Sequence, residues 1–107
     1  MGTIKRFEEL ECWQEAREFV KLIYELTKKG KFMRDFELVS QLRRSAVSSM
    51  ANIAEGFHRN SNRDFMKFLD YSRSSVAESV ILFLHFVSPL RRWKESDFVG
   101  GKKVSPY

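Results

Sequence analysis

The sequence predicts an all-α fold, an antiparallel up-down helical bundle, and three observations carry that expectation. Backbone breakers are scarce: 107 residues hold two prolines and five glycines, and Gly2, Gly100 and Gly101 lie near the ends. An interior with so little punctuation suits long helices better than a many-turned β fold. Apolar residues recur at three- and four-residue steps over three separate segments. Hydrophobic residues make up 43% of the chain, ten of them phenylalanine, which suffices for one domain with one modest, aromatic core.

The first helix is expected from about Leu10 to Lys29. Trp13, Ala16, Val20, Ile23 and Thr27 form its apolar stripe, flanked by Phe19, Leu22 and Leu26. Glu8, Glu9 and Glu11 gather at its start and Lys28, Lys29 and Lys31 at its end, both favourable to the helix dipole. Gly30 reads as the residue just past its C-cap. The second helix covers roughly Asp35 to Glu55, with Val39, Leu42, Ala46, Met50, Ile53 and Phe57 in step and Gly56 as its stop. Its centre, from Arg44 to Asn52, is rich in small side chains, which let other helices approach closely.

The third helix follows His58–Arg59–Asn60–Ser61. Ser61 with Asp64 resembles a capping box, and Phe65, Phe68, Leu69, Ser72, Val76, Ser79, Phe83 and Phe86 mark one face to about residue 87. After Ser88–Pro89 the character changes. Leu90, Trp93 and Phe98 support at most a short fourth helix before Gly100–Gly101 and Pro106. The organisation expected is a helical domain over residues 1–88 and a basic tail over residues 89–107.

Charge and composition narrow the function. The formal net charge is +5, but residues 89–107 carry +3 of it and the other 88 residues only +2. Bulk charge is therefore a weak argument for nucleic acid. Cys12 is alone and cannot form an internal disulfide, which fits a reducing compartment. The apolar run Val80 to Leu84 is far short of the ~20 residues a spanning helix needs, and the first residues are too charged for a signal stretch. A cytoplasmic protein without membrane contact is the expectation. His58 and His85 have no ligand at helical spacing, and no glycine loop offers to cradle phosphate, so no metal, cofactor, small-molecule substrate or catalysis is expected.

Two constellations remain. Gln41, Arg44, Ser48, Asn52 and Glu55 step along one polar stripe of the second helix, opposite Leu42, Ala46 and Ile53. The stripe is either a solvated face or a packed interface between subunits, and the small neighbours Ser45, Ser49 and Ala51 favour packing. Glu55 near a helix C-terminus calls for a compensating cation, with Arg59, or Arg43 or Arg44 of a neighbouring subunit, as candidates. The second constellation is basic: Arg43, Arg44, Arg59, Arg63 and Lys67 offer contacts to a phosphate backbone, against an ordinary surface role supported by the nearby Asp64 and Asp70.

The motifs also carry a family resemblance. Phe7, Leu10, Trp13–Gln14–Glu15–Ala16, Ile23–Tyr24 and Thr27 open it. Gln41–Leu42–Arg43–Arg44–Ser45–Ala46–Val47–Ser48 and Ala51–Asn52–Ile53–Ala54–Glu55–Gly56–Phe57 with Arg59 carry it most strongly. Phe65, Phe68–Leu69, Ser75 and Glu78 continue it. The chain resembles, over about residues 7–78, a bacterial family of small four-helix-bundle proteins encoded in intervening sequences of large-subunit ribosomal RNA genes. That resemblance implies an antiparallel four-helix bundle and a ring-forming homo-oligomer, a pentamer. Fold-level relatives that assist reverse transcriptases suggest RNA or a reverse-transcriptase-like protein as partner. Beyond Glu78 the dense apolar run and the basic tail depart from the family pattern as read from these motifs, as a frameshifted or truncated reading frame would. Three helices without a fourth would leave an apolar groove, to be filled by Leu90–Val99, by another chain, or by aggregation. The function expected is a non-enzymatic oligomeric adaptor that contacts structured RNA or a nucleic-acid enzyme; the alternative is a protein–protein scaffold with no nucleic-acid role.

Overall fold

A computed structural model of the chain describes residues 4–87 and an antiparallel pair of two-residue strands, Phe98–Val99 and Lys102–Lys103. Three helices dominate: α1 (Glu11–Thr27), α2 (Phe36–Phe57) and α3 (Asn62–Val87). Short 3₁₀ turns at Phe7–Glu9 and Gly30–Arg34 precede α1 and α2. The fourth helix foreseen over Leu90–Val99 lies outside the described residues, except that its last two, Phe98–Val99, form a strand.

Sequence chemistry explains the ends. The α1 chain continues from Leu10 without a side-chain cap, and the Gln14 amide reaches back 3.0 Å to the Glu8 carbonyl. Its C-cap is Lys28, so Gly30 falls one residue later than expected and opens the 3₁₀ turn instead. Gly30 has φ of +48°, a left-handed conformation that glycine adopts at no steric cost. Asp35 caps α2 by accepting from the Leu38 N–H at 3.1 Å. Ser61 accepts from the Asp64 N–H at 3.1 Å and starts α3.

Consecutive helices run antiparallel. Thr27 of α1 meets Arg43 of α2, while Ala16, nearer the α1 start, packs with Ile53. Along α2 and α3 the pairs Ser45 with Ser79, Ser48 with Ser75 and Ser49 with Ser72 descend together. Two apolar clusters form the core. Leu10, Ala16 and Ile53 gather Phe7, Trp13, Met50, Phe57, Phe65 and Leu69 at one end. Ile23, Leu42 and Ala46 gather Phe19, Val20, Leu82 and Phe83 at the other, where Phe32 stacks on Phe86 at 4.1 Å.

The α2–α3 contact is built from small residues. Ser49 and Ser79 are fully buried, and the Ser45 and Ser79 hydroxyls lie 2.7 Å apart. Ser72 donates to the Ser49 carbonyl at 2.8 Å and Ser49 to the Ala46 carbonyl at 2.6 Å, so these buried hydroxyls are paired. Gly56 does not stop α2, as expected from its type; it lies inside the helix. A Cβ there would sit 2.6 Å from Phe68 Cβ, so the glycine serves close approach rather than termination.

Candidate nucleic-acid interface

The five basic residues read as one set fall at two places along α2. Fourteen residues of helix, ~21 Å at 1.5 Å per residue, separate Arg43 from the end of α2 at Phe57, and Arg59 lies just beyond. Arg59 is already engaged: its guanidinium is 2.8 Å from the Glu55 carboxylate and 4.7 Å from the centre of the Phe68 ring. Arg63 and Lys67 are exposed on the first turns of α3. Around them residues 55–70 hold three basic and three acidic groups, so this end is electrically balanced.

The other end is not balanced. Residues 25–44 hold six basic groups against Glu25, Asp35 and Glu37. Here α1 ends, the chain turns, and α2 begins. The buried Thr27 hydroxyl donates to the Ile23 carbonyl at 2.8 Å and accepts from Arg43 Nε at 2.9 Å. The Arg43 guanidinium lies 4.5 Å from the centre of the Tyr24 ring, a cation–π contact. Packing and hydrogen bonding thus hold this arginine in place. Arg44 is exposed and donates to Ser40 Oγ at 3.3 Å. Among the described residues, Arg6, Arg59 and Arg73 each have a carboxylate partner, whereas Arg43 and Arg44, like Arg17, Arg34 and Arg63, have none.

A cleft of about 610 Å³ connects these groups, lined by Tyr24, Phe36, Val39, Ser40, Arg43, Arg44 and Val47. Phe36 is 79% exposed. Sequence reasoning missed Phe36 and Tyr24, although a signal existed. Phe36, Ser40, Arg43 and Val47 step by four, three and four residues along a stripe about 100° from the buried Leu42 and Ala46. An aromatic residue on that stripe has no place in the core.

The polar stripe of α2 divides. Gln41, Arg44 and Glu55 are exposed. Ser48 and Asn52 are half-buried and satisfied within the chain: Asn52 Nδ2 donates to the Ser48 carbonyl at 2.9 Å and to its Oγ at 3.0 Å, and Ser75 of α3 donates to the same Oγ at 3.1 Å. Ser45 and Ser49, read as favouring a subunit interface, pack against α3 instead. Glu55 finds its compensating cation in Arg59 of its own chain.

A second concavity, an apolar groove of about 680 Å³, runs between α1 and α3. Ala16, Phe19, Ile53, Leu69 and Val76 line it, with Cys12 and Glu15 on the α1 side. Burial pushes the Cys12 thiol up from its ordinary value. Beyond the groove, α3 turns Val80, Ile81, Leu84 and Val87 to solvent. Among the described residues, no three His, Cys, Asp or Glu side chains gather as a metal site would require, and no helix is long and apolar enough to cross a membrane.

A family model described as 23S rRNA-intervening sequence protein matches residues 8–99. The chain belongs to this family. The match continues well past Glu78, so the apolar end of α3 and the first part of the tail fall within the 23S rRNA-intervening sequence pattern instead of departing from it. The motif-rich Gln41–Gly56 segment lies in the middle of the match, and so does the Tyr24–Val47 cleft. No curated protein and no solved structure matches the chain.

Proposed function

We propose that this member of the 23S rRNA-intervening sequence protein family is a non-enzymatic, cytoplasmic adaptor that contacts structured RNA through the α1–α2 corner. The observation that carries the reading is the pair Arg43 and Arg44: one is fixed in position by Thr27 and Tyr24, and neither is neutralised by a carboxylate among the described residues. An arginine already held in place loses less conformational freedom on binding phosphate. The reading differs from the one drawn on the whole basic set, because Arg59, Arg63 and Lys67 belong to the balanced end.

In the same reading the chain assembles into a homo-oligomeric ring, a pentamer, as the family resemblance implies. A ring repeats a weak phosphate contact on every subunit and multiplies it. A protein–protein scaffold is the second reading, favoured by the solvent-facing Val80, Ile81, Leu84 and Val87.

Fluorescence anisotropy with a labelled stem–loop RNA tests the choice. The adaptor reading expects binding that weakens linearly with log salt, at a slope near 0.7–0.9 per phosphate contacted. Absence of binding at low salt would discard it in favour of the scaffold.

A further inference from the structure

The corner holds more than charge, and the RNA reading on which this inference rests leaves one feature unexplained: a large aromatic ring placed in water beside the two arginines. We infer that the cleft between Tyr24 and Val47 takes an unpaired nucleotide, its base stacked on Phe36 and its neighbouring phosphates against Arg43 and Arg44.

Each part of the cleft suits one part of that ligand. Phe36 is the first residue of α2, is 79% exposed, and lies off the stripe that faces the core. It contributes nothing to the two apolar clusters, so folding does not account for it. Tyr24 already has Arg43 over its ring, which leaves Phe36 as the ring open to a base. The Arg43 Nε is spent on Thr27, but the guanidinium carries five N–H donors in all, and its terminal nitrogens remain for an anion. Seven residues of helix, ~10.5 Å, separate Phe36 from Arg43. That span matches a base on one nucleotide and a phosphate of the next.

The chemistry also selects unpaired over paired RNA. A duplex hides its base faces and is met through phosphates and 2′-hydroxyls along its length. A positive corner with an aromatic ring inside it instead resembles the stacking platforms that hold single strands. The net charge points to nucleic acid: residues 25–44 carry a net +3, and Lys and Arg groups of this kind supply the affinity for a phosphate backbone.

The test uses the full chain and two RNA probes of equal length. One is a single-stranded oligoadenylate with a central 2-aminopurine, and the other is a fully paired hairpin stem. The expected results are tighter binding of the single strand, quenching of 2-aminopurine on binding, and about a tenfold loss of affinity in Phe36→Ala, equivalent to ~1.4 kcal/mol of stacking. Because Phe36 is exposed, this variant should keep its helical circular dichroism and melting temperature. Equal binding of both probes, with Phe36→Ala indistinguishable from the parent, would overturn the inference while leaving the RNA reading intact. Loss of both probes' binding in the parent would remove both. A Phe36→Ala variant that binds RNA normally but assembles into smaller particles would also overturn it, and would assign the cleft to contact between copies of the chain.

Discussion

The two sides of α2 are built on opposite rules. Toward α3 the helix presents Ser45, Ser49 and Gly56, and the two backbones close until a single added carbon at Gly56 would sit 2.6 Å from Phe68. Away from the core it presents Phe36, Arg43, Arg44 and Val47 around an open cleft. One side is small, paired and closed; the other is large, charged and open. The difference separates what the sequence needs in order to fold from what it has left over for a partner. Every hydroxyl on the closed side is satisfied within the chain, whereas the arginines on the open side have no carboxylate among the described residues.

The comparison breaks most readily at Gly56. Gly56→Val would force α2 and α3 apart against a backbone-anchored atom, Phe68 Cβ, and overpacking of this kind costs ~3 kcal/mol. Thermal unfolding should show a drop of many degrees; an unchanged midpoint would mean that the helices are not held as closely as described. A smaller effect is expected at Ser79. Ser79→Ala removes the hydroxyl that lies 2.7 Å from Ser45 and leaves no space to fill, at a cost of about 1 kcal/mol in urea unfolding. Neither change should alter RNA affinity per folded molecule, since neither touches the cleft.

The fold was legible where period and capping agreed. Trp13, Ala16, Val20, Ile23 and Thr27 mark α1, and Asp35 and Ser61 mark the starts of α2 and α3, because apolar spacing and capping chemistry are local properties. The use of small residues was not local. Gly56 has the composition of a helix stop, and only the arrival of Phe68 from α3 turns it into a packing position. Ser45 and Ser49 invite close approach by some helix, but the sequence does not say whose; α3 of the same chain takes the place. The basic set divides for a related reason. Arg43 and Arg59 look adjacent in a list of cations, yet Arg43 lies in the first half of α2 and Arg59 beyond its C-terminus. Their neighbours, Tyr24 and Thr27 for one and Glu55 for the other, then decide which is free to bind.

The central claim is that the open side of α2 at its N-terminal end, and not the α2–α3 turn, meets RNA. The most direct measurement is the salt dependence of stem–loop RNA affinity in two charge-removed variants, Arg43→Gln with Arg44→Gln and Arg63→Gln with Lys67→Gln. If the claim holds, the first pair lowers the slope of log affinity against log salt by roughly 1.4–1.8, at 0.7–0.9 per contact, and the second pair leaves it unchanged. A slope that falls in the second pair and stays constant in the first would contradict the account and return the interface to the α2–α3 turn.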